Sequence, residues 1–196
     1  MMRLEPLTLT GNVAILAPLT PEHANDLRNA ACDGELWKLW YTSVPTPAQM
    51  DAEIARRLAL QRDGTMLPFA VIEKAAGEAV GMTTYMNIDA PNQRVEIGST
   101  WYRKRVQRTV LNTECKFMLL QHAFETLDCI AVEFRTSSFN FASRRAIERL
   151  GAHLDGVLRN HTRHSDGTLR DTYVYSIIAP EWPAVKANLA FHLGPG

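Results

Sequence analysis

Two spacings of hydrophobic residues alternate along this chain of 196 residues and divide it into strands and helices. Alternating apolar and polar positions predict strands, and apolar residues three or four positions apart predict helices. The predicted strands cover residues 12–19, 67–73, 79–87, 94–101, 129–136, 153–164 and 169–178. The predicted helices begin near residues 20, 46, 112, 140 and 180, and they end near residues 32, 64, 127, 150 and 193.

Capping and turn residues mark where several of these elements begin and end. Thr20-Pro21-Glu22 and Thr46-Pro47 are helix starts, with threonine as the N-cap and proline at the first helical position. Turns at Ala76-Gly77 and at residues 89–92 join three strands into an antiparallel meander. Ser165-Asp166-Gly167 predicts a hairpin between the last two strands.

The segment from Gln93 to Leu127 holds the last strand of the meander and the central helix. Gly98 inside that strand predicts a β-bulge or a close approach of another backbone. The helix carries one apolar stripe that should face the core, at Phe117, Leu120, Phe124 and Leu127. Because a helix joins this strand to the strand over residues 129–136, the two strands should pair in parallel. We therefore predict a single α+β domain over residues 1–196.

A short basic segment connects the last meander strand to the central helix. Its cations are Arg103, Lys104, Arg105 and Arg108. Unpaired N–H groups at a helix start, the helix dipole and nearby cations all attract anions. With Asn112 or Thr113 as the expected N-cap, the amides of residues 107–112 suit a phosphorylated ligand. A solvated charged turn before a helix would have the same composition.

Composition narrows the classes of partner. Lysine plus arginine and aspartate plus glutamate both number 21, so the formal net charge is zero. Proteins that bind nucleic acid or acidic membranes usually carry a basic excess, so we expect neither partner. No apolar run reaches membrane-spanning length, and Arg3, Glu5 and Pro6 interrupt the first residues, unlike a signal peptide. We expect a cytoplasmic protein.

Cysteine and histidine spacing predicts no metal site. Cys32, Cys115 and Cys129 are scattered and odd in number, which suits reduced, buried thiols in a reducing compartment. His161 and His164 are three positions apart, so within one strand their side chains would lie on opposite faces and could not chelate together.

The order of elements, together with three segments, resembles the GNAT superfamily of acyl-CoA-dependent N-acyltransferases. The similarity is greatest to its RimJ/RimL-type branch of ribosomal-protein N-acetyltransferases. The segments are EIGSTW at 96–101, QRTVLNTECK at 107–116 and NFASRRAIERLGA at 140–152, and the resemblance covers essentially the whole chain. It implies acetyl-CoA as the acyl donor and a primary amine, on a small molecule or a protein N-terminus, as the acceptor.

The pyrophosphate loop departs from the superfamily pattern. That loop usually reads Gln/Arg-x-x-Gly-x-Gly/Ala, and the register beginning at Gln107 places Val110 and Asn112 where small residues are expected. Glycine lets a backbone approach phosphate closely, but helical backbone angles do not require it. Two other functions therefore stay open: a CoA-binding or regulatory protein without turnover, and an unrelated anion-binding module.

The resemblance assigns a set of residues to coenzyme A. The expected contacts are Trp101, Arg103, Arg105, Gln107, Arg108, Thr109, Val110, Leu111, Asn112, Thr113, Asn140 and Ser143. In similar acyltransferases the positions of Asn140 and Ser143 contact the pantetheine arm and the region of the thiol, although asparagine at a helix start is also an ordinary cap. A symmetric homodimer is the default expectation for the oligomeric state.

The chemistry is assigned to Glu96 and Ser143 in a direct attack of the amine on the thioester. Glu96 shares a strand face with Gly98 and is the expected base for the incoming ammonium, although an ordinary hydrogen-bonded strand residue would fit the same pattern. Backbone N–H groups near Gly98 to Trp101 should polarise the thioester oxygen. Ser143 is the expected proton donor to the thiolate. The alternatives to it are Tyr85, Tyr173 and Tyr175.

An aromatic segment follows the first helix and includes Trp37, Trp40 and Tyr41. Its irregular, proline-bounded setting is compatible with the edge of an acceptor pocket. Ordinary packing of clustered aromatic residues is the alternative.

Overall fold

A computed structural model describes residues 4–164 and 166–194, whose strands form one mixed sheet of eight strands. The strands are β1 (Leu9–Thr10), β2 (Ala14–Pro18), β3 (Met66–Glu73), β4 (Glu78–Asp89), β5 (Arg94–Tyr102), β6 (Ala131–Ser137), β7 (His153–Arg163) and β8 (Leu169–Ile178). The α-helices are α1 (Ala24–Cys32), α2 (Met50–Arg62), α3 (Val110–Glu125), α4 (Phe141–Arg149) and α5 (Trp182–Leu193).

The sheet opens between β5 and β6. The strand order is β1-β2-β3-β4-β5-β6-β8-β7, and among the described strands only β5 and β6 pair in parallel. Their pairing covers residues 94–96 and 131–133, although β5 continues to Tyr102 and β6 to Ser137. Beyond Glu96 and Glu133 the two strands therefore run on without pairing, which leaves an opening between them.

Helices cover both faces of the sheet. The larger core joins α3, α4 and α5 to one face, where Val95 and Ile97 point. The smaller core joins α1 and α2 to the other face and includes Trp101. Strand alternation therefore directs Glu96 and Gly98, which lie between those positions, towards the α1–α2 face.

Local sequence explains how the helices begin. Before α1 the Thr20 amide donates to His23 Nδ1 at 3.1 Å, and before α2 the Thr46 amide donates to Gln49 Oε1 at 3.2 Å. Both threonines stand at predicted starts, and each is followed by a short 3-10 turn that leads into the helix. These polar contacts satisfy N–H groups that have no partner within the helix.

The central helix begins earlier than predicted. α3 starts at Val110, and its N-cap is Thr109, whose side chain accepts from the Leu111 amide at 3.3 Å. The predicted N-caps, Asn112 and Thr113, lie inside the first turn. The early start is explained by Leu111, whose side chain is buried in the larger core when the residue is helical.

Glu114 fixes this helix against the other end of the sheet. Its buried carboxylate accepts the backbone N–H groups of Asn12, Val13 and Ala14 at 2.6, 2.9 and 2.8 Å. Charge-assisted hydrogen bonds of this kind are stronger than neutral ones. The start of α3 is consequently held to the turn between β1 and β2.

The predicted element order is confirmed, with a few local differences. The short strand β1 was not predicted, and Cys32 is exposed although Cys115 and Cys129 are buried as expected. The apolar stripe of α3 lies in or against the larger core, as predicted. In the predicted β7–β8 turn, Ser165 lies outside the described residues, while Thr168 donates to Asp166 Oδ1 at 2.9 Å. None of the helices described is long and apolar enough to cross a bilayer.

Candidate active site at the parting of two strands

A β-bulge lies in β5 where that strand runs along the opening. Thr84 of β4 pairs with Gly98 and Met82 pairs with Trp101, so Ser99 and Thr100 together oppose one residue. Ser99 has a φ of 47°, in the left-handed region that non-glycine residues rarely adopt. The predicted bulge near Gly98 is thus confirmed, and it turns backbone groups away from regular pairing.

Glu96 lies at the point where β5 and β6 part. It is 5% exposed, and its Oε2 accepts from Asn87 Nδ2 at 2.6 Å. A Cβ on Gly98 would lie 3.0 Å from Glu96 Oε1, so the carboxylate sits over that glycine on the face predicted from strand alternation. The absence of a side chain at Gly98 makes room for it.

Burial raises the pKa of the Glu96 carboxyl. The hydrogen bond from Asn87 and the positive charge of Arg135, whose Nε is 3.5 Å away, oppose this shift without cancelling it. The neighbouring Glu133 adds to the rise through its negative charge. A carboxylate with a raised pKa is a stronger base than one in water, which suits proton abstraction.

Glu133 faces Glu96 across the strand pair but has a different environment. Burial alone would raise its pKa, but hydrogen bonds from Arg94 at 2.6 Å and Arg135 at 2.9 Å outweigh burial and lower it. Two adjacent carboxyls with pKa values moved in opposite directions are typical of sites where acid and base roles are divided.

The sequence signals for the partners of Glu96 were weak. Asn87 is in a strand, has a φ of 47° and lies where the β4–β5 register shifts, so an irregular β4 directs its amide at Glu96. Asparagine tolerates this conformation better than most residues, and its presence late in a predicted strand was the available signal. Arg135 comes from β6, and only the strand pairing brings it to Glu96.

The loop before α3 contains one left-handed residue and is tied to β5 by a hydrogen bond. Arg108 has a φ of 63°, so the left-handed residue precedes both Val110 and Asn112, where glycine or alanine was expected. Val110 is 48% exposed and points away from the core. Gln107 Nε2 donates to the Tyr102 carbonyl at 2.8 Å and ties the loop to the end of β5. The amides of Val110, Leu111 and Asn112, in the first turn of α3, have no backbone acceptor within the helix.

The arginines of this loop differ in their partners. Arg103 pairs with Asp33 at 3.3 Å and with Glu78 at 3.4 Å. Arg105 forms a two-point ion pair with Glu73, and the hydrogen bond to the Glu73 carboxylate raises the pKa of Arg105. Within residues 4–164 and 166–194, no acidic side chain pairs with Arg108. The role of Arg103 and Arg105 at a phosphate stays a prediction.

Asn140 and Ser143 lie together at the start of α4, beside the end of β6. Asn140 is the N-cap, and its Oδ1 accepts from the Ser143 amide at 3.1 Å. The capping interpretation of Asn140 is therefore confirmed, and contacts of either residue with coenzyme A stay predictions.

The three tyrosines considered as proton donors have different surroundings. Tyr85 is fully buried against α3, where its hydroxyl donates to the Leu119 carbonyl at 2.5 Å, and burial raises its pKa far above the usual range. Tyr175 donates to Glu148 Oε1 at 2.8 Å. Tyr173 lies with its ring 4.0 Å from the Arg144 guanidinium carbon. Tyr85 therefore cannot reach the opening.

The aromatic segment after α1 divides between packing and exposure. Trp37 packs against the smaller core, whereas Trp40 is 50% exposed. The Trp40 ring centroid lies 5.2 Å from that of Phe139, just beyond β6, and 5.4 Å from that of His164, at the β7–β8 hairpin. Tyr41 contacts Trp40 edge-on at 5.8 Å. We name Trp40, Tyr41, Phe139 and His164 the aromatic rim.

The two histidines singled out in the sequence have separate partners. His161 Nδ1 is 3.1 Å from Thr172 Oγ1, whereas His164 contacts Trp40. In the described part of the chain, no three histidine, cysteine, aspartate or glutamate side chains are grouped so that they could hold a metal ion.

Trp101, which was also predicted to contact coenzyme A, is buried in the smaller core. Its indole nitrogen has no hydrogen-bond partner among the described residues. The indole therefore serves packing, and only its backbone is available to the opening.

Comparison with known proteins finds one matching family and several similar structures. Residues 14–153 match the family described as "Acetyltransferase (GNAT) domain". A GCN5-related N-acetyltransferase from Brucella melitensis is 30% identical, with a TM-score of 0.87 over 98% of this chain and 87% of that one.

Two further similarities are to a protein with a ribosomal N-acetyltransferase name and to a solved structure of RimJ. A Bacillus subtilis protein whose name proposes a ribosomal N-acetyltransferase, YdaF, is 30% identical over 111 residues, which are 56% of this chain and 59% of that protein. RimJ of Mycobacterium smegmatis, solved in complex with CoA-disulfide, has a TM-score of 0.78 over 97% of this chain and 93% of that one, at 23% identity. The second similarity is one of fold.

Proposed function

Since the chain belongs to the GNAT acetyltransferase family and is an acetyltransferase, we propose that it moves an acetyl group from acetyl-CoA to a primary amine by direct attack. The observation that carries this proposal is the position of Glu96. A buried carboxylate with a raised pKa lies where β5 and β6 part, beside a bulge that interrupts the regular pairing of β5 with β4. A base and an oxyanion site would therefore share one opening.

The residues of the loop fit the phosphates of coenzyme A. Arg108 is exposed and without an acidic partner in the described residues, and the first-turn amides of α3 lack intrahelical acceptors. Thr109 and Gln107 hold the loop in place through their hydrogen bonds to Leu111 and Tyr102. Acetyl-CoA, when bound, would supply the thioester whose acetyl group is transferred, and the opening beyond Glu96 would receive its pantetheine arm.

Glu96 would remove the proton that the amine must lose before it attacks. The amine nitrogen then forms a bond to the thioester carbonyl carbon, the carbon–sulfur bond breaks, and the sulfur leaves as thiolate. Amides of the bulge at Ser99 and Thr100 would stabilise the oxyanion that forms between these steps. The thiolate would take its proton from Ser143 or from Tyr173, both near the end of β6. That hydroxyl would regain a proton from the attacking nitrogen, which must lose its second proton to become an amide.

The acceptor side supports a peptide N-terminus as the substrate. Glu96 faces the α1–α2 side of the sheet. Trp40 and Phe139 of the aromatic rim are exposed and would give a surface for apolar parts of an acceptor. The name of the Bacillus subtilis relative points to a ribosomal protein acceptor. We therefore propose the α-amino group of a peptide or protein, with small-molecule amines as competitors.

Turnover of acetyl-CoA against an acceptor panel tests this function. The panel contains peptides with free N-termini, a polyamine, an aminoglycoside and free amino acids, and each peptide has an N-terminally blocked control. We expect free CoA thiol and one added acetyl group, by mass spectrometry, only for unblocked primary amines. Binding of CoA without transfer to any amine would favour the CoA-binding alternative.

A further inference from the structure

The bulge of β5 is held through its carbonyl groups. Thr100 Oγ1 donates to the Gly98 carbonyl at 3.2 Å, and Arg57 Nη2 donates to the Ser99 carbonyl at 3.1 Å. Because a peptide unit is planar and trans, fixing the direction of a carbonyl also fixes the direction of the following N–H. These two contacts therefore set where the Ser99 and Thr100 amides point.

Arg57 reaches the bulge from α2. It is 2% exposed, and besides the Ser99 carbonyl it contacts Glu53 Oε1 through Nε at 2.7 Å and Thr84 Oγ1 through Nη1 at 2.8 Å. Thr84 is the residue of β4 that pairs with Gly98. The guanidinium thus bonds both strands at the start of the bulge, and Glu53 holds it in that orientation.

Lys116 reaches the same bulge from α3, on the opposite face. It is 6% exposed, and its Nζ donates to Thr100 Oγ1 at 2.8 Å and to Thr83 Oγ1 at 3.2 Å. Thr83 lies between the β4 residues that pair on either side of the bulge. No carboxylate lies within ion-pair distance of Lys116 Nζ in the described ranges, 4–164 and 166–194.

The stability of the fold gives no reason for a charge at Lys116. A buried ammonium without a counterion is disfavoured, and burial lowers the pKa of Lys116 to about 8. The Thr83 and Thr100 hydroxyls lie 2.8 Å apart and would bond each other without the lysine. A feature that disfavours folding and contacts the candidate oxyanion site is better explained by function.

We propose that Arg57 and Lys116 are positioning residues that hold the β5 bulge from opposite faces of the sheet, so that the Ser99 and Thr100 amides are aligned for the thioester oxygen. The inference rests on the proposed acyl transfer. It assigns a role in the reaction to two helices, α2 and α3, through buried side chains that contact the bulge.

Steady-state kinetics of Arg57→Met and Lys116→Met test this role. Misplacing a preorganised oxyanion donor lowers the rate of the chemical step, so we expect kcat to fall at least about tenfold in each variant. KM for acetyl-CoA and CoA affinity should stay within about threefold, because neither residue contacts the predicted phosphate loop.

Arg56→Met is the matched control for Arg57→Met. Arg56 binds the same Glu53 carboxylate, through Nε and Nη2 at 2.8 Å each, but it does not touch the bulge. Its replacement should leave kcat within about twofold of the wild type. Because Arg56 still pairs with Glu53 in Arg57→Met, that variant leaves no buried carboxylate unpaired.

A milder pair of variants covers the case in which Arg57→Met or Lys116→Met does not fold. Thr100→Ser keeps the hydroxyl that joins Lys116 to the Gly98 carbonyl, and Thr100→Val removes it with little change in shape. We expect Thr100→Ser to retain kcat within about threefold and Thr100→Val to lose about tenfold or more. If Thr100→Ser and Thr100→Val both had the kcat of the wild type, the proposal would be overturned.

Hydrogen exchange separates a failure of this inference from a failure of the proposed function. In folded Lys116→Met or Thr100→Val protein, the amides of residues 98–101 should exchange faster than in the wild type, whether or not an acceptor is known. Unchanged exchange there contradicts the positioning role even if the wild type transfers no acetyl group. If the wild type transfers acetyl groups and folded Arg57→Met and Lys116→Met have the same kcat, the proposed acetyl transfer stands. The positioning role of Arg57 and Lys116 is then wrong.

Discussion

Glu96 and Glu133 stand opposite each other across the β5–β6 pair, yet their surroundings move their pKa values in opposite directions. The difference lies in the arginines. Glu133 receives hydrogen bonds from Arg94 and Arg135, whereas the amide of Asn87 is the hydrogen-bond donor to Glu96. Burial therefore dominates for Glu96, and charge pairing dominates for Glu133.

These shifts predict opposite effects of Glu96→Gln and Glu133→Gln on stability. The folded protein binds a proton at Glu96 more readily than the unfolded chain does, so ionised Glu96 disfavours folding increasingly as pH rises through its folded pKa. Glu96→Gln should therefore raise Tm near neutral pH, and the gain should vanish near pH ~4, below which both states are protonated. Thermal unfolding across pH measures this.

Glu133→Gln is the control for that experiment, with the sign reversed. Its lowered pKa gives stability that is present above the unfolded value and is lost as pH falls through the folded pKa. We expect Glu133→Gln to lower Tm near neutral pH, with the loss shrinking in acid. Shifts of the same sign in both variants would contradict the assigned environments.

Strand alternation alone placed Glu96 on the face of Gly98, and the structure confirms this. The partners that give Glu96 its chemistry were beyond the sequence, because Asn87 and Arg135 arrive from β4 and β6. Their contacts depend on an irregular register in the β4–β5 pair and on which residues face each other in the β5–β6 pair. Neither is encoded in local spacing.

At the scale of elements, the loop and the start of α3 show where local signals were insufficient. Thr109, Asn112 and Thr113 are all good N-cap residues, and sequence alone could not choose among them. Burial of Leu111 decided for Thr109. The left-handed residue of this loop is Arg108, not Val110 or Asn112. The backbone at Val110 and Asn112 therefore does not require glycine.

The different partners of the loop arginines predict unequal roles in CoA binding. Arg105 is held by Glu73, whereas Arg108 has an exposed side chain with no such partner in the described residues. We expect Arg108→Ala to weaken CoA binding about fivefold, roughly 1 kcal/mol for one charge-assisted contact, and Arg105→Ala to change it less than about twofold. Calorimetric titration with CoA measures both.

Arg159→Ala, on the exposed edge strand β7, is the charge-matched control and should leave CoA affinity unchanged. The difference between Arg108→Ala and Arg105→Ala should shrink at high salt, because exposed charges are screened. If Arg105→Ala weakened binding more than Arg108→Ala, the loop would have to exchange its Glu73 ion pair for phosphate.

At the scale of the whole molecule, the opening between β5 and β6 brings the layers together at one site. The α3 layer would supply the phosphate site and, through Lys116, one side of the bulge; the α1–α2 layer supplies Arg57 and the face of Glu96. The order of elements, including the parallel β–α–β unit, could be predicted from sequence periodicity and turns. The length over which β5 and β6 stay paired could not be predicted, because it depends on contacts between residues far apart in the sequence.

The pH dependence of kcat/KM for the wild type and Glu96→Gln, with an accepted primary amine, tests the account most directly. With Glu96 as the base, the wild-type rate should rise as that carboxyl ionises. Glu96→Gln should be slower by about 10²- to 10⁴-fold near neutral pH and should keep gaining rate as the free amine fraction grows, with unchanged CoA affinity. Similar rates and the same profile in both proteins would contradict the account.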